Sequence, residues 1–141
     1  MSIDLTGDIQ NVIDGALERA GRAPAVGYID QDGYPAVSHR GSTHVISPNQ
    51  LAIWARNPND GLATGVAANP KVTVSFFDPG GDPIMLSMRG TARVDASRND
   101  EIYAGIGDAE RGYDPDKNGV AVIIDVETVR GFGHEGGISQ G

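Results

Sequence analysis

The sequence predicts a mainly β fold with α (α+β), a small antiparallel barrel with a few flanking helices. Three observations carry this. Twenty glycines and eight prolines in 141 residues call for many turns. Two runs, 71–77 and 84–94, alternate apolar and polar residues with the period of a half-buried strand. Helical spacing appears in only three short places, too few to cover both faces of a doubly wound sheet. At this length one core is expected, so residues 1–141 read as a single domain, with a loose tail from about residue 131.

Taken in order, Ile9, Val12, Ile13, Ala16, Leu17 and Ala20 form a helical stripe, with Thr6 or Asp8 at its start and Gly21 at its stop. Pro24 to Asp30 reads as a strand, and Gln31-Asp32-Gly33-Tyr34 as its hairpin turn. The stretch from Gly33 to Arg56 then reads as two strands joined by Ser47-Pro48-Asn49-Gln50. Ala36, Ser38, Arg40 and Ser42 share one face of the first strand. Ala52, Trp54 and Arg56 alternate with Leu51, Ile53 and Ala55 on the second.

Asn57 and Pro58 predict the start of a short helix that Asn69-Pro70 ends. Lys71–Phe77 and Ile84–Val94 are strands, the second interrupted at Gly90 as at a bulge. Ser97 to Glu110 reads as a helix capped by Ser97 and weakened by Gly105 and Gly107. Val120–Val129 is the last predicted strand. The order is helix, about four strands, short helix, two strands, helix, strand.

Charge narrows the partners. A net charge of −8 disfavours nucleic acid and anionic membrane. Of eleven cations only Lys71 and Lys117 are lysines, so anion recognition falls to arginine, whose fork grips a phosphate at two points. The absence of cysteine excludes disulfides, thiolate nucleophiles and cysteine-ligated metal. No signal peptide and no apolar run of about 20 residues is visible, so a cytoplasmic protein without membrane attachment is expected.

Three apparent signatures have ordinary readings. Gly131-x-Gly133-x-x-Gly136 follows a strand, but a dinucleotide site needs a helix and another strand after it. Asp114 to Gly119 resembles the start of a calcium loop, yet Asp125 stands where the bidentate Glu belongs. It reads as a solvated turn. His39, His44 and His134 do not make a metal set by spacing, so no metal site is assigned. No GxSxG or paired carboxylates appear, and no catalytic side chain is assigned.

What remains is the face of Ser38, Arg40, Ser42, Trp54 and Arg56. It is either a solvated barrel face or a seat for an aromatic anion, with the phosphate on an arginine near Gly41 and a flat ring along Trp54.

The ordered set AVGYIDQDGYPAVSHRGS, LAIWAR, GLATGVAANPKVTVSFFD and IMLSMRGTARV resembles the pyridoxamine 5′-phosphate oxidase-like family, the FMN-binding split barrels, over roughly residues 20–130. The resemblance implies a six-stranded antiparallel split barrel and a homodimer with flavin in clefts between subunits. It places Ser38, Arg40, Gly41 and Ser42 at the phosphate and ribityl side, and Trp54, Ala55 and Arg56 near the ribityl chain and ring. Three departures stand out. Gly61-Leu62 occupies the place of a basic residue common in relatives. Met85 replaces a ring-contacting Gln, and the tail is unlike that of the vitamin B6-synthesising oxidases. The implied function is an FMN-dependent oxidoreductase acting on a small-molecule redox substrate, with a deazaflavin as variant cofactor. The alternative is a non-catalytic flavin, deazaflavin or haem binding protein on the same barrel.

Overall fold

The computed structural model describes residues 2–141. Two short helices open it, α1 (Asp8–Ile13) and α2 (Ala16–Ala20), where the spacing predicts one. Gly15 breaks the helix with φ 64°. Asp14 is turned to other work: its Oδ1 accepts the Val45 N–H at 2.8 Å and its Oδ2 accepts from the Gln10 amide at 3.1 Å. Ile9, Ile13 and Ala16 stay buried, but past the break Leu17 faces solvent. Gly21 ends α2 in the left-handed region, as predicted.

Eight strands follow: β1 (Ala25–Ile29), β2 (Pro35–His39), β3 (His44–Ser47), β4 (Gln50–Ala55), β5 (Lys71–Asp78), β6 (Ile84–Val94), β7 (Val120–Gly133) and β8 (Gly136–Gln140). Their order is β2-β1-β5-β6-β7-β4-β3, with β8 on β7, and every pairing is antiparallel. The sheet is open, as a split barrel requires, but its strand count is eight rather than six. β2 and β3 are consecutive in the chain yet lie at opposite ends of this order. Only residues 40–43 join them. Four residues reach at most about 15 Å, so the sheet must curl until its two ends meet, and Arg40–Thr43 span the split.

The long strand expected from Gly33 is therefore interrupted. Thr43 N–H and its hydroxyl both bond the Arg40 carbonyl, at 3.2 and 2.7 Å, closing a tight turn. The tail is not loose. Residues 131–133 extend β7, and β8 pairs back along it from Val129↔Gln140 to Gly133↔Gly136. Gly136, with φ 112°, makes that turn possible. Gly131 lies against the Met85 carbonyl, where any side chain would collide. The Gly-x-Gly-x-x-Gly spacing thus belongs to a hairpin.

Alternate residues of β5 and β6 (Val72, Val74, Phe76; Leu86, Met88, Ala92) point into the barrel with those of β7. The register between β6 and β7 shifts at Gly90, the bulge expected there, because Gly90 abuts the Asp125 carbonyl. β4 buries both faces. Leu51, Ile53 and Ala55 enter the barrel core, while Ala52 and Trp54 pack with Ile102, Ile106, Ala121 and Ile123 in a second core.

That second core lies under α4 (Asn99–Gly105), which together with α5 (Asp108–Gly112) replaces the single helix predicted from Ser97. The break falls at Ile106, extended at ψ 163°. A 3-10 turn at Ala96–Arg98 comes first, and Asp95 rather than Ser97 is its cap, accepting the Ser97 N–H at 3.1 Å.

The remaining helix, α3 (Leu62–Ala68), starts four residues later than Asn57-Pro58 suggests. Asn57 accepts the Asn59 N–H at 3.0 Å and Asp60 accepts the Gly61 N–H at 2.7 Å. These side chains spend their capping capacity on a turn. Gly61, at φ 62° and ψ −127°, then redirects the chain into α3. Among the described residues no helix is long and apolar enough to cross a membrane.

Candidate functional site

The split in the barrel brings together groups from four places in the chain. Arg40 leaves β2 half-buried, and its Nε donates to Ser38 Oγ at 2.8 Å. The Tyr28 hydroxyl comes from β1 and lies beside the guanidinium. Gly61 packs next to both: a Cβ there would sit 3.8 Å from the Tyr28 hydroxyl and 4.0 Å from an Arg40 terminal nitrogen. Arg40, Ala55, Asn57, Asp60, Gly61 and Leu62 line a cleft of about 130 Å³. Arg56 follows β4 directly and lays its guanidinium over the Tyr113 ring, 4.9 Å from the centroid.

The electrostatics of this cleft are unbalanced. Burial holds the Arg40 guanidinium below the ordinary arginine range. The Arg56 charge pushes the same way, while Tyr28 and Glu110 oppose it. Arginine stays charged regardless. Among the described residues neither Arg40 nor Arg56 forms an ion pair within 4 Å, whereas Arg93, Arg98, Arg111 and Lys117 each have a carboxylate. A half-buried cation held by a hydroxyl, with no carboxylate at ion-pair distance even though Asp60 lines the cleft, is open to an incoming anion.

The residues picked out in the sequence divide into two groups. Ser38, Arg40 and Arg56 belong to the cleft or its rim. Ser42, Trp54 and Ala55 are buried. Ser42 Oγ receives the Trp54 N–H at 2.9 Å, two residues before the start of β3, where the β3–β4 ladder has ended. The Trp54 indole is not on a ligand-facing surface. It meets Tyr103 edge-to-face, with centroids 5.1 Å apart, and Nε1–H donates to Asp114 Oδ2 at 2.9 Å. Ala55 lines the cleft but places its side chain in the barrel core. The shared face expected for Trp54 and the arginines fails because α4 and Ile106 cover that side of β4.

Gly41 has a different reason from the one expected. Its Cα faces the Glu110 carboxylate and the Leu17 side chain, and a Cβ has no room there. Leu62 also changes meaning. It is 1% exposed and part of the barrel core, so a cation there would have to leave the core to reach the cleft.

Asp114, read in the sequence as part of a solvated turn, is instead buried. Burial pushes its carboxyl up. The Asn118 N–H, the Trp54 indole and the Gly119 N–H together hold it below the usual carboxylate value. Sequence reasoning missed Tyr28, Asn57, Asp60, Tyr113 and Glu110. Tyr28 was visible as the aromatic residue of β1, but nothing local marks Glu110, which arrives through the packing of α5.

No family model matches the chain, and no curated protein matches it in sequence. Solved structures do match in fold. A pyridoxamine 5′-phosphate oxidase-related FMN-binding protein of Nostoc punctiforme superposes with TM-score 0.65 at 16% identity, over 92% of this chain and 86% of that one. HupZ of Group A Streptococcus gives 0.63 at 17%, over 94% and 95%. An F420 reductase gives 0.60 at 18%, over 82% and 94%. At such identities the likeness is one of fold: the chain has the split-barrel architecture of these proteins.

Proposed function

We propose that this chain is a flavin-dependent oxidoreductase of the pyridoxamine 5′-phosphate oxidase-like family, with the cofactor phosphate seated in the Arg40 cleft. The observation that carries the reading is the pair Arg40 and Arg56, two guanidiniums at the barrel split without a carboxylate partner. Ser38 orients Arg40 through its hydroxyl, and Tyr28 adds a second hydroxyl beside it. Gly41, Ser42, Trp54 and Ala55 hold these groups in place from behind. FMN is the first candidate cofactor. A deazaflavin is the variant, favoured by the same fold in an F420 reductase. When bound, a flavin supplies hydride or one-electron chemistry of its own. The chain's part is to bind and orient it, and no side chain is assigned a covalent role.

A cleft of about 130 Å³ takes a phosphate and the start of a ribityl chain, whereas whole-ligand sites run to roughly 300–1,000 Å³. The reading therefore includes a cytoplasmic homodimer in which a second copy completes the wall for the ring and the redox substrate. Its support is the outer sheet face, where Phe77, Met85 and Phe132 are cross-strand neighbours and all exposed. A non-catalytic binding protein on the same barrel is the second reading, favoured by Leu62, which leaves α3 without a phosphate-facing cation at that position.

The visible spectrum of the purified protein, before and after adding FMN and gel filtration, tests the proposal. Flavin bands that travel with the protein are expected. A protein that retains no FMN overturns the flavin reading, and a Soret band favours the second.

A further inference from the structure

Glu110 is a titratable group with no role so far. It projects from α5 toward the split, half-buried, and its carboxylate lies against the Cα of Gly41, the residue next to Arg40. Among the described residues its carboxylate accepts no hydrogen bond and forms no ion pair within 4 Å, while its backbone carbonyl accepts the Tyr113 N–H at 3.2 Å. Burial pushes its carboxyl up, helped by the Glu18 carboxylate, while Arg56 and Arg40 each draw it toward ionisation. The charged groups facing it are Arg40 from the β2–β3 turn, Arg56 from the end of β4 and Glu18 from α2. Leu17 and Gly41 complete its surroundings.

We propose that Glu110 is a built-in counter-anion of the Arg40–Arg56 cleft, so that a dianionic phosphate or sulfate group enters with uptake of one proton from solvent by the Glu110 carboxylate. The argument is electrostatic. With Glu110 ionised, Arg40 and Arg56 face three carboxylates, Glu110, Glu18 and Asp60 of the cleft wall, and the net is −1. An incoming dianion then meets a like charge beside its seat. Protonating Glu110 raises the net charge to zero and removes its share of that repulsion. Burial already pushes its carboxyl above the ordinary value, which favours proton uptake. Gly41 makes the arrangement possible, because any side chain there displaces the carboxylate. The device rests on the cleft being an anion seat, but not on the anion being a flavin.

Sulfate is the suitable probe, since its charge is constant where a phosphate monoester titrates near about pH 6. Sulfate is titrated into wild type and Glu110→Gln at about pH 8 and about pH 5, and followed by NMR at the Arg40 side-chain N–H. FMN and riboflavin are titrated in parallel. At the higher pH, Glu110→Gln should bind sulfate about tenfold more tightly than wild type, one pK unit of coupling. Toward the lower pH the two should converge, because wild type gains affinity on acidification. Gly41→Ala, which pushes Glu110 aside, should behave like Glu110→Gln. Equal affinities at the higher pH, or a wild-type affinity that stays flat with pH, overturn the proposal. So does failure of sulfate to perturb Arg40 in either protein. Sulfate behaving as expected while FMN binds no better than riboflavin supports Glu110 as counter-anion and removes the flavin reading alone.

Discussion

Two polar clusters flank the end of β4, and they are built on opposite principles. Around Asp114 every polar group is paired: one carboxylate accepts from an indole and two backbone N–H groups, and Tyr103 donates to the Asp114 carbonyl at 2.9 Å. Around the Arg40 cleft, two guanidiniums and the carboxylates of Asp60 and Glu110 lie near one another without an ion pair. The closed cluster has spent its hydrogen-bonding capacity on the fold. The open one has kept its capacity for something outside the chain. The two are adjacent: Trp54 anchors the first, and Arg56, two residues on, belongs to the second. Burial alone does not separate them, since Arg40 and Glu110 are half-buried as well. Satisfaction does.

The largest effect expected from this contrast is at Trp54. Trp54→Ala empties the second core and leaves Asp114 short of a donor, so urea unfolding should show a loss of about 3–5 kcal/mol. The folded fraction should keep its preference for FMN over riboflavin. A stable variant that loses both flavins would instead make Trp54 a ring contact and erase the division.

Asp114→Asn comes next, at about 1–3 kcal/mol near neutral pH, because an amide NH₂ then faces donors. The folded-state value of Asp114 is depressed, so its stabilisation is present above the unfolded carboxylate value of about 4 and is lost as pH falls through the folded one. The stability gap between wild type and variant should therefore close on acidification. A gap independent of pH would mean that Asp114 acts by shape alone.

Ser38→Ala should have the smallest effect. It removes one neutral partner of Arg40 and should weaken FMN by about 0.5–1.5 kcal/mol in a binding titration, with little change in thermal unfolding. A loss of stability without a loss of affinity would move Ser38 to the closed cluster.

The sequence displayed the barrel well and the site only in part, for physical reasons. Lys71–Asp78 and Ile84–Val94 were legible because one face of each is buried and the other wet, so period-two alternation records the geometry. β4 hid its role because both faces are buried, and Trp54 alternating with Leu51 and Ile53 looked like a surface residue. The break at Arg40–Thr43 is a topological event. Nothing in four residues says that the next strand joins the far edge of the sheet. The tail misled because its glycines suggest a flexible chain, whereas Gly131 and Gly136 are there for a close approach and a turn. Arg40 and Arg56 were visible as chemistry before their setting was known. Glu110 was not, since its position depends on Gly41 across the split.

The central claim, that the open cluster is a phosphate seat, is tested most directly by Arg40→Ala titrated with FMN and with riboflavin, which differ by the phosphate. FMN affinity should fall by about 1.5–3 kcal/mol, the size of a charge-assisted contact, while riboflavin affinity and thermal stability hold. An equal loss for both ligands, or no loss for either, would contradict it.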